Sequence, residues 1–273
     1  MGVRIKIART IREIDELFRL RHRVFVEEEG YFVPRPEVRV ADRFDAYPTT
    51  TNLVALVDGR VVGAVRVVAH SEAGLPTDEF FDSRQLVPDG IAGLCSGSML
   101  CVERGQRETP RLVFALLGMA YHWARCNGMT HMLGAVNPDV ESFFIRAGGR
   151  RIAEPVRNVD LGLAAVPMVI DLDELPGGFP AFLEHQRSAP YPENFDREFL
   201  EQGQILSRAS ETARFAYLVL DGRVAVERRM HGHRGRRVAE LIRGQLCQDS
   251  DLRDAVEVRA LSRCDLMALE LEA

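Results

Sequence analysis

Hydrophobic and polar positions change their rhythm along this chain. Up to about residue 175, stretches with helical spacing alternate with short apolar runs of β type. Val3-Arg4-Ile5-Lys6-Ile7 alternates strictly and predicts a short strand. Ile11, Ile14, Leu17, Phe18 and Val24 or Phe25 recur at helical spacing, and Thr10 with Glu13 three residues on forms a capping-box pattern. Pro34 and Pro36 forbid one continuous helix through the segment that follows. Leu53–Val57 and Val61–Val65 predict paired strands joined at Asp58-Gly59, a type I′ turn signal. Leu94–Val102 predicts a strand, and Arg111–Asn127 an apolar helix stopped by Gly128. Thr130–Val136 predicts a strand, Val140–Ala147 a short helix closed by Gly148-Gly149, and Val166–Asp171 a last strand with Pro167 at its start. This order predicts an α/β (α+β) domain with one central mixed sheet and flanking helices.

The second part has another character. Leu175-Pro176-Gly177-Gly178-Phe179-Pro180 breaks the pattern, and prolines crowd again at 190 and 192, with a short helix expected between, over 181–186. We expect a domain over 1–175, a linker over 176–194 and a second domain over 195–273. In the tail, Ala216–Val226 reads as a hairpin around Asp221-Gly222. Val238–Leu241, Ala255–Leu261 and Asp265–Leu271 read as further short strands. Such a run predicts a small β-barrel or jelly roll.

Composition narrows the class. With 46% hydrophobic and 27% charged residues, the chain is globular rather than disordered. A net charge of -5 gives no general attraction to nucleic acid or to an anionic membrane. No apolar run reaches the length of a membrane span, and the polar–apolar alternation at the N-terminus is not that of a signal peptide. The five cysteines show no CxxC and no partnered spacing, so buried reduced thiols in a cytoplasmic protein are expected. No metal site is expected: His231-Gly232-His233 has no further ligand nearby. The basic run Arg228–Arg237 reads as a solvated hairpin tip, or else as a dock for an acidic partner.

Candidate chemistry gathers between residues 21 and 66. Arg21 lies on the first helix, Asp42 and Asp45 in the long connection, and Arg66 on a strand. Loops held by a rigid scaffold often carry binding groups. The same charges could simply pair with one another.

Arg21-x-x-Val24-Phe25, Asp42-x-Phe44-Asp45 and Gly63-x-x-Arg66, in this order, resemble the N-terminal signature of the acyl-homoserine lactone synthases and the related long-chain N-acyl amino acid synthases. Both groups are GNAT-like N-acyltransferases, and the resemblance covers about residues 3–175. It implies transfer of a fatty acyl group from a thioester to the amine of a small acceptor such as an amino acid. It also implies that no cofactor is permanently bound and that acyl carrier protein or CoA brings the acyl group as co-substrate. Arg21, Phe25, Asp42, Asp45 and Arg66 would shape the acceptor side. Phe80 and Phe81 would help enclose the acyl chain, unless they merely pack on the core. Met99, Leu100 and Val102 would border the thioester, and Arg104 and Arg107, with Arg111, would face the donor.

Where the resembling families carry Glu-x-Ser-Arg, this chain reads Ser96-Gly97-Ser98-Met99. The family glutamate and arginine are therefore absent, and deprotonation of the amine would fall to water held by Asp45 or Ser98. The turn over residues 103–110 lacks the repeated glycines of a CoA pyrophosphate cradle, which favours acyl carrier protein as donor. At the position where many relatives keep a tyrosine acid stands Phe143 or Phe144, which cannot donate a proton. A reading from another class is a non-catalytic lipid-binding regulatory pseudoenzyme. Homodimerisation through the second domain is a further expectation.

The tail resembles a cyclic nucleotide-binding domain in Gly203-Gln204-Ile205-Leu206, Tyr217-Leu218-Val219-Leu220-x-Gly222-x-Val224-x-Val226 and Val258-x-Ala260. The family's phosphate-binding glycine is missing from Cys247–Leu252, where Asp249 could stand for the ribose-binding glutamate. The better register puts Asp254, not Arg253, where the phosphate arginine belongs. A degenerate domain that does not bind cyclic nucleotide is therefore expected.

Overall fold

The computed structural model describes residues 2–34, 36–83, 93–107, 111–158, 162–175, 194–206, 215–230, 233–247 and 256–270. The expected linker lies outside them apart from its last position. So do the short helix at 181–186 and the stretch 248–255 of the expected cyclic nucleotide cassette. The chain forms two compact units. One comprises Ile7–Val54 and Val61–Phe182. The other gathers Met1–Lys6, Ala55–Arg60 and Leu183–Ala273.

The larger unit begins with helix α1 (Ile11–His22), capped as the sequence predicts. Thr10 Oγ1 accepts from the Glu13 N–H at 3.2 Å, and Glu13 Oε2 accepts from the Thr10 N–H at 3.1 Å. The helix does not stop there. It widens into a π-helical turn, Arg23–Glu28, that buries Val24, Phe25 and Val26 in succession. Ile11, expected on the apolar face, is 91% exposed; burial starts at Leu17.

Strands β2 (Thr50–Val57) and β3 (Arg60–Ala69) flank Asp58 and Gly59, whose φ angles of 52° and 72° give the expected I′ turn. They are followed by β4 (Leu94–Val102), α2 (Arg111–Cys126), β5 (His131–Val136) and α3 (Glu141–Arg146). The short β6 (Gly149–Arg151) and β7 (Val156–Asn158) precede β8 (Leu163–Asp171). The sheet runs β2-β3-β4-β5-β8-β6, with β7 also on β8. β4 and β5 are parallel, whereas β3–β4 and β5–β8 are antiparallel, so this is a mixed sheet. Pro167, expected at the start of the last strand, lies within β8, at the point where the edge pairing changes from β7 to β6.

Among its described residues the smaller unit has strands and no helix. β1 (Val3–Ile7) pairs antiparallel with β9 (Asp196–Leu200). One sheet contains β1, β9, β10 (Phe215–Asp221), β13 (Leu246–Cys247) and β15 (Cys264–Glu270). A second has β11 (Arg223–Met230) between β12 (His233–Ile242) and β14 (Val256–Ala260). Leu200, Tyr217, Val219 and Leu266 from the first sheet share one core with Val224, Val226, Val258 and Ala260 from the second.

Asp221-Gly222 is not a hairpin turn, contrary to the sequence reading. β10 pairs with β13 and β15, while β11 pairs with β12 and β14, so the chain changes sheets at this corner. Gly222 has φ 84°, and a Cβ there would come within 2.1 Å of the Arg263 carbonyl oxygen. A hairpin signal and a tight sheet-switching corner use the same Asp-Gly pair. The actual hairpin is β11–β12, closed between Met230 and His233 inside the basic run.

Candidate functional site: a cavity between splayed strands

β4 and β5 pair only from Leu94–His131 to Ser96–Leu133. Beyond that point they separate. Gly97, Ser98, Met99, Leu100, Cys101 and Val102 line one side of the opening, and Gly134, Ala135 and Val136 the other. The register of β3 against β4 also slips here. Ala64 faces Cys101 and Arg66 faces Ser98, so β4 carries one extra residue. Met99 lies in this bulge with φ 51°, a left-handed conformation that a methionine adopts only under constraint. The bulge and the splay together turn a stretch of β4 backbone toward open space instead of toward a neighbouring strand.

That space is a cavity of about 900 Å³. Val24, Phe25, Phe32, Val113, Leu117 and Phe143 are among the apolar side chains around it. The size and lining suit a ligand with a long hydrocarbon part.

A cluster of charged side chains, its two arginines buried, stands at the cavity wall. Asp42 caps a 3₁₀ turn, Arg43–Ala46, accepting from the Phe44 N–H at 2.8 Å, while Asp45 accepts from the Asp42 N–H at 3.1 Å. Arg66 donates from Nη1 and Nη2 to the two Asp42 oxygens at 2.6 and 2.8 Å, and from Nε to Ser98 Oγ at 3.0 Å. Arg21 donates from Nη1 to both Asp45 oxygens at 2.9 Å and from Nη2 to Asn52 Oδ1 at 2.7 Å. Asp45 also stands 3.2 Å from Arg66 Nη1. Two guanidiniums, 0% and 1% exposed, thus face a buried Asp45 and an Asp42 whose side chain is 33% exposed. Burial tends to raise the Asp42 carboxyl, but the Arg66 hydrogen bond and charge outweigh it and hold the group below its usual value.

The expected site residues divide in two. Phe25, Asp42, Arg66, Phe80, Ser98, Met99, Leu100, Val102 and Arg107 line the cavity. Arg21, Asp45, Phe81 and Arg104 do not. Arg21 and Asp45 stand behind Arg66. Phe81 packs on the cluster of Phe44, Val68, Leu75 and Leu94. Arg104 is exposed on a 3₁₀ turn. Arg107 is fully engaged, donating to the Val102 carbonyl at 2.6 Å, Glu28 at 2.6 Å and Glu29 at 2.5 Å. Ser96, at the family glutamate position, is completely buried and is not part of the lining.

Sequence reading missed Tyr31, whose Oη accepts from Asn137 Nδ2 at 2.7 Å, and Thr77, whose buried hydroxyl has no hydrogen-bond partner among the described residues. It also missed His22, a buried cavity residue next to Arg21. Its signal would have been the polar pair Arg21-His22 at the end of an apolar helix face. Among the described residues no cluster of three or more His, Cys, Asp or Glu could hold a metal ion, and no helix is long and apolar enough to cross a membrane.

A family model described as N-acyl amino acid synthase FeeM matches residues 16–171. The solved structure of FeeM, an N-acyl amino acid synthase from uncultured soil microbes, superposes with a TM-score of 0.55 at 16% identity, covering 64% of this chain and 93% of that one. TofI, solved in a ternary complex with an inhibitor and MTA, gives 0.51 at 21% identity over 67% and 97%. MesI, a CoA-dependent acyl-homoserine lactone synthase, gives 0.51 at 16% over 66% and 95%. At these identities the likeness is one of fold, the mixed α/β fold of these synthases. No curated protein sequence matches at a significant level.

Proposed function

The chain belongs to the N-acyl amino acid synthase FeeM family, and from that membership we propose that it moves a fatty acyl group from a thioester to the amine of a small acceptor. The observation that carries this reading is the cavity at the β4–β5 splay, apolar over most of its wall and closed on one side by the Arg66–Asp42–Ser98 array. An acyl chain fills the apolar part. The thioester lies along Met99–Val102, where backbone N–H groups released by the bulge bond the oxygen that becomes negative in the transition state. Ser98, fixed by Arg66, orients the reacting carbonyl. Phe25 and Phe80 border the acyl group.

Arg21 and Asp45 take a supporting role in this reading. Asp45 accepts from Arg21, stands 3.2 Å from Arg66 and does not line the cavity, so in this reading it holds Arg66 in place rather than holding water. The acceptor is a free amino acid or a similar small amine, with its carboxylate held toward Arg66. The donor is acyl carrier protein, because the described part of the turn after β4 offers Gly105 alone and no repeated-glycine cradle. The tail is a degenerate relative of cyclic nucleotide-binding domains that binds no cyclic nucleotide. Tight cAMP binding in calorimetry would refute that part.

The test is incubation of the purified protein with palmitoyl-acyl carrier protein or palmitoyl-CoA and a mixture of the twenty amino acids, followed by mass spectrometry. An N-palmitoyl amino acid, formed faster from the carrier protein, is the expected product. Thioester that remains intact with every amine refutes the assignment.

A further inference from the structure

The acyltransfer reading leaves one chemical task without a residue. The acceptor amine is an ammonium ion at neutral pH and must lose a proton before it can attack. Ser96 offers no base, and Asp45 is held by two guanidiniums.

His22 is the last residue of α1, 6% exposed, and it lines the cavity. Its Nε2 is buried and has no hydrogen-bond partner among the described residues. A buried ring nitrogen without a hydrogen bond is unfavourable, so its placement against a ligand cavity calls for a partner that arrives with the substrate. On the other side of the ring, Glu27 Oε1 stands 3.1 Å from Nδ1, within ion-pair reach though off the line of the N–H.

The backbone explains how the two residues meet. In an α-helix, positions five apart point in different directions. The π-helical turn Arg23–Glu28 has i to i+5 hydrogen bonds, among them the Glu29 N–H to the Val24 carbonyl at 3.0 Å. That wider turn brings position 27 under position 22.

We propose that His22, oriented by Glu27, is the general base of the acyl transfer. This rests on the acyltransferase reading. Glu27 holds the proton on Nδ1, leaving the Nε2 lone pair free for the acceptor. The acceptor ammonium gives a proton to Nε2. The freed amine forms a C–N bond with the thioester carbonyl carbon, the C–S bond breaks, and its electron pair leaves with sulfur. The nitrogen gives up its second proton to the departing thiolate and the imidazolium releases the first to water, so His22 ends as it began and the products are an amide, a free thiol and one solvent proton.

Two measurements on the full chain test this. Nitrogen-15 NMR of histidine-labelled protein, with His22→Gln to assign the signal, should show the Nδ1–H tautomer for His22, and Glu27→Gln should shift it. An Nε2–H tautomer overturns the proposal whether or not turnover is seen. In the transfer assay with palmitoyl-acyl carrier protein, His22→Ala should lower kcat by about 10²–10⁴-fold with KM little changed, and added imidazole should restore part of the rate. An active parent with an equally active His22→Ala variant, or a loss that imidazole does not relieve, removes His22 from the chemistry. A parent inert toward every amine refutes the acyltransferase reading itself.

Discussion

Arg66 grips Asp42 through two parallel hydrogen bonds, 2.6 and 2.8 Å long, while the remaining edge of the same guanidinium holds Ser98. One planar group thus links a loop, a strand and the bulge of a second strand. Lysine has no such fork, and the contact depends on two further charges, Asp45 and Arg21, that never reach the cavity.

Removing Asp45 tests that dependence. Asp45→Ala leaves two guanidiniums that are 0% and 1% exposed facing each other with one fewer anion. Truncating one partner of a buried ion pair costs about 3–5 kcal/mol. Urea unfolding should show a loss of this size, whereas Arg12→Ala, whose pair with Glu16 is on the surface, should change stability by under about 1 kcal/mol.

Acid should loosen the same array. The Asp42 carboxyl is held below its usual value despite a burial effect in the opposite direction, the Arg66 hydrogen bond and charge prevailing. A depressed carboxyl contributes stability above its unfolded value and loses it as pH falls through the folded one. Unfolding midpoints measured from pH 6 to pH 2.5 should therefore fall on the acid side of about pH 4, and Asp42→Asn should flatten that part of the curve.

Cavity volume can be altered from Gly134 on β5. A Cβ there meets only Val136 Cγ2 at 3.5 Å, an ordinary contact, so a side chain extends into the cavity without straining the strand. Gly134→Leu should leave the thermal midpoint close to the parent and shift product formation from palmitoyl to octanoyl thioesters. Competition between the two donors, read by mass spectrometry, measures it.

The β unit carries an opposite pH response. Burial, with Asp196 adding to it and Arg4 opposing, pushes the Glu198 carboxyl up to about 7. A carboxyl raised in the folded state favours folding when protonated, and that advantage declines as pH rises from its unfolded value toward 7. The tail's unfolding transition should move to lower temperature between pH 5 and pH 8, by up to about 3 kcal/mol in stability. Glu198→Gln should remove the slope.

Local signals reported local structure well. Thr10 and Glu13 announced a capping box, Asp58-Gly59 an I′ turn, and Gly128 the end of α2, because each depends on neighbours a few residues away. What escaped was set by distant partners. β6 and β7 are short and rich in arginine, and exist because β8 offers an edge. Asp221-Gly222 has hairpin chemistry, but the pairing choices of four other strands make it a corner. At the candidate site, the charged motif named residues that the fold brings together, but only Asp42 and Arg66 of its four charges line the cavity, while Arg21 and Asp45 do not. His22 left a trace in the polar pair Arg21-His22, but its meeting with Glu27 needs a π-turn, which no hydrophobic period announces.

The pairing of β1 with β9 has a consequence for the order in which the chain matures. Arg4 finds Asp196 192 positions further on. β2, on the other edge of β1, follows within about fifty residues, but at ribosomal speeds of about 5–20 residues per second β9 is made only roughly ten to forty seconds after β1. The cavity-bearing unit, lying almost wholly between those two strands in sequence, is synthesised in that interval. The β9 edge of β1 is thus filled only after the cavity-bearing unit has been translated, and the β unit cannot close before then.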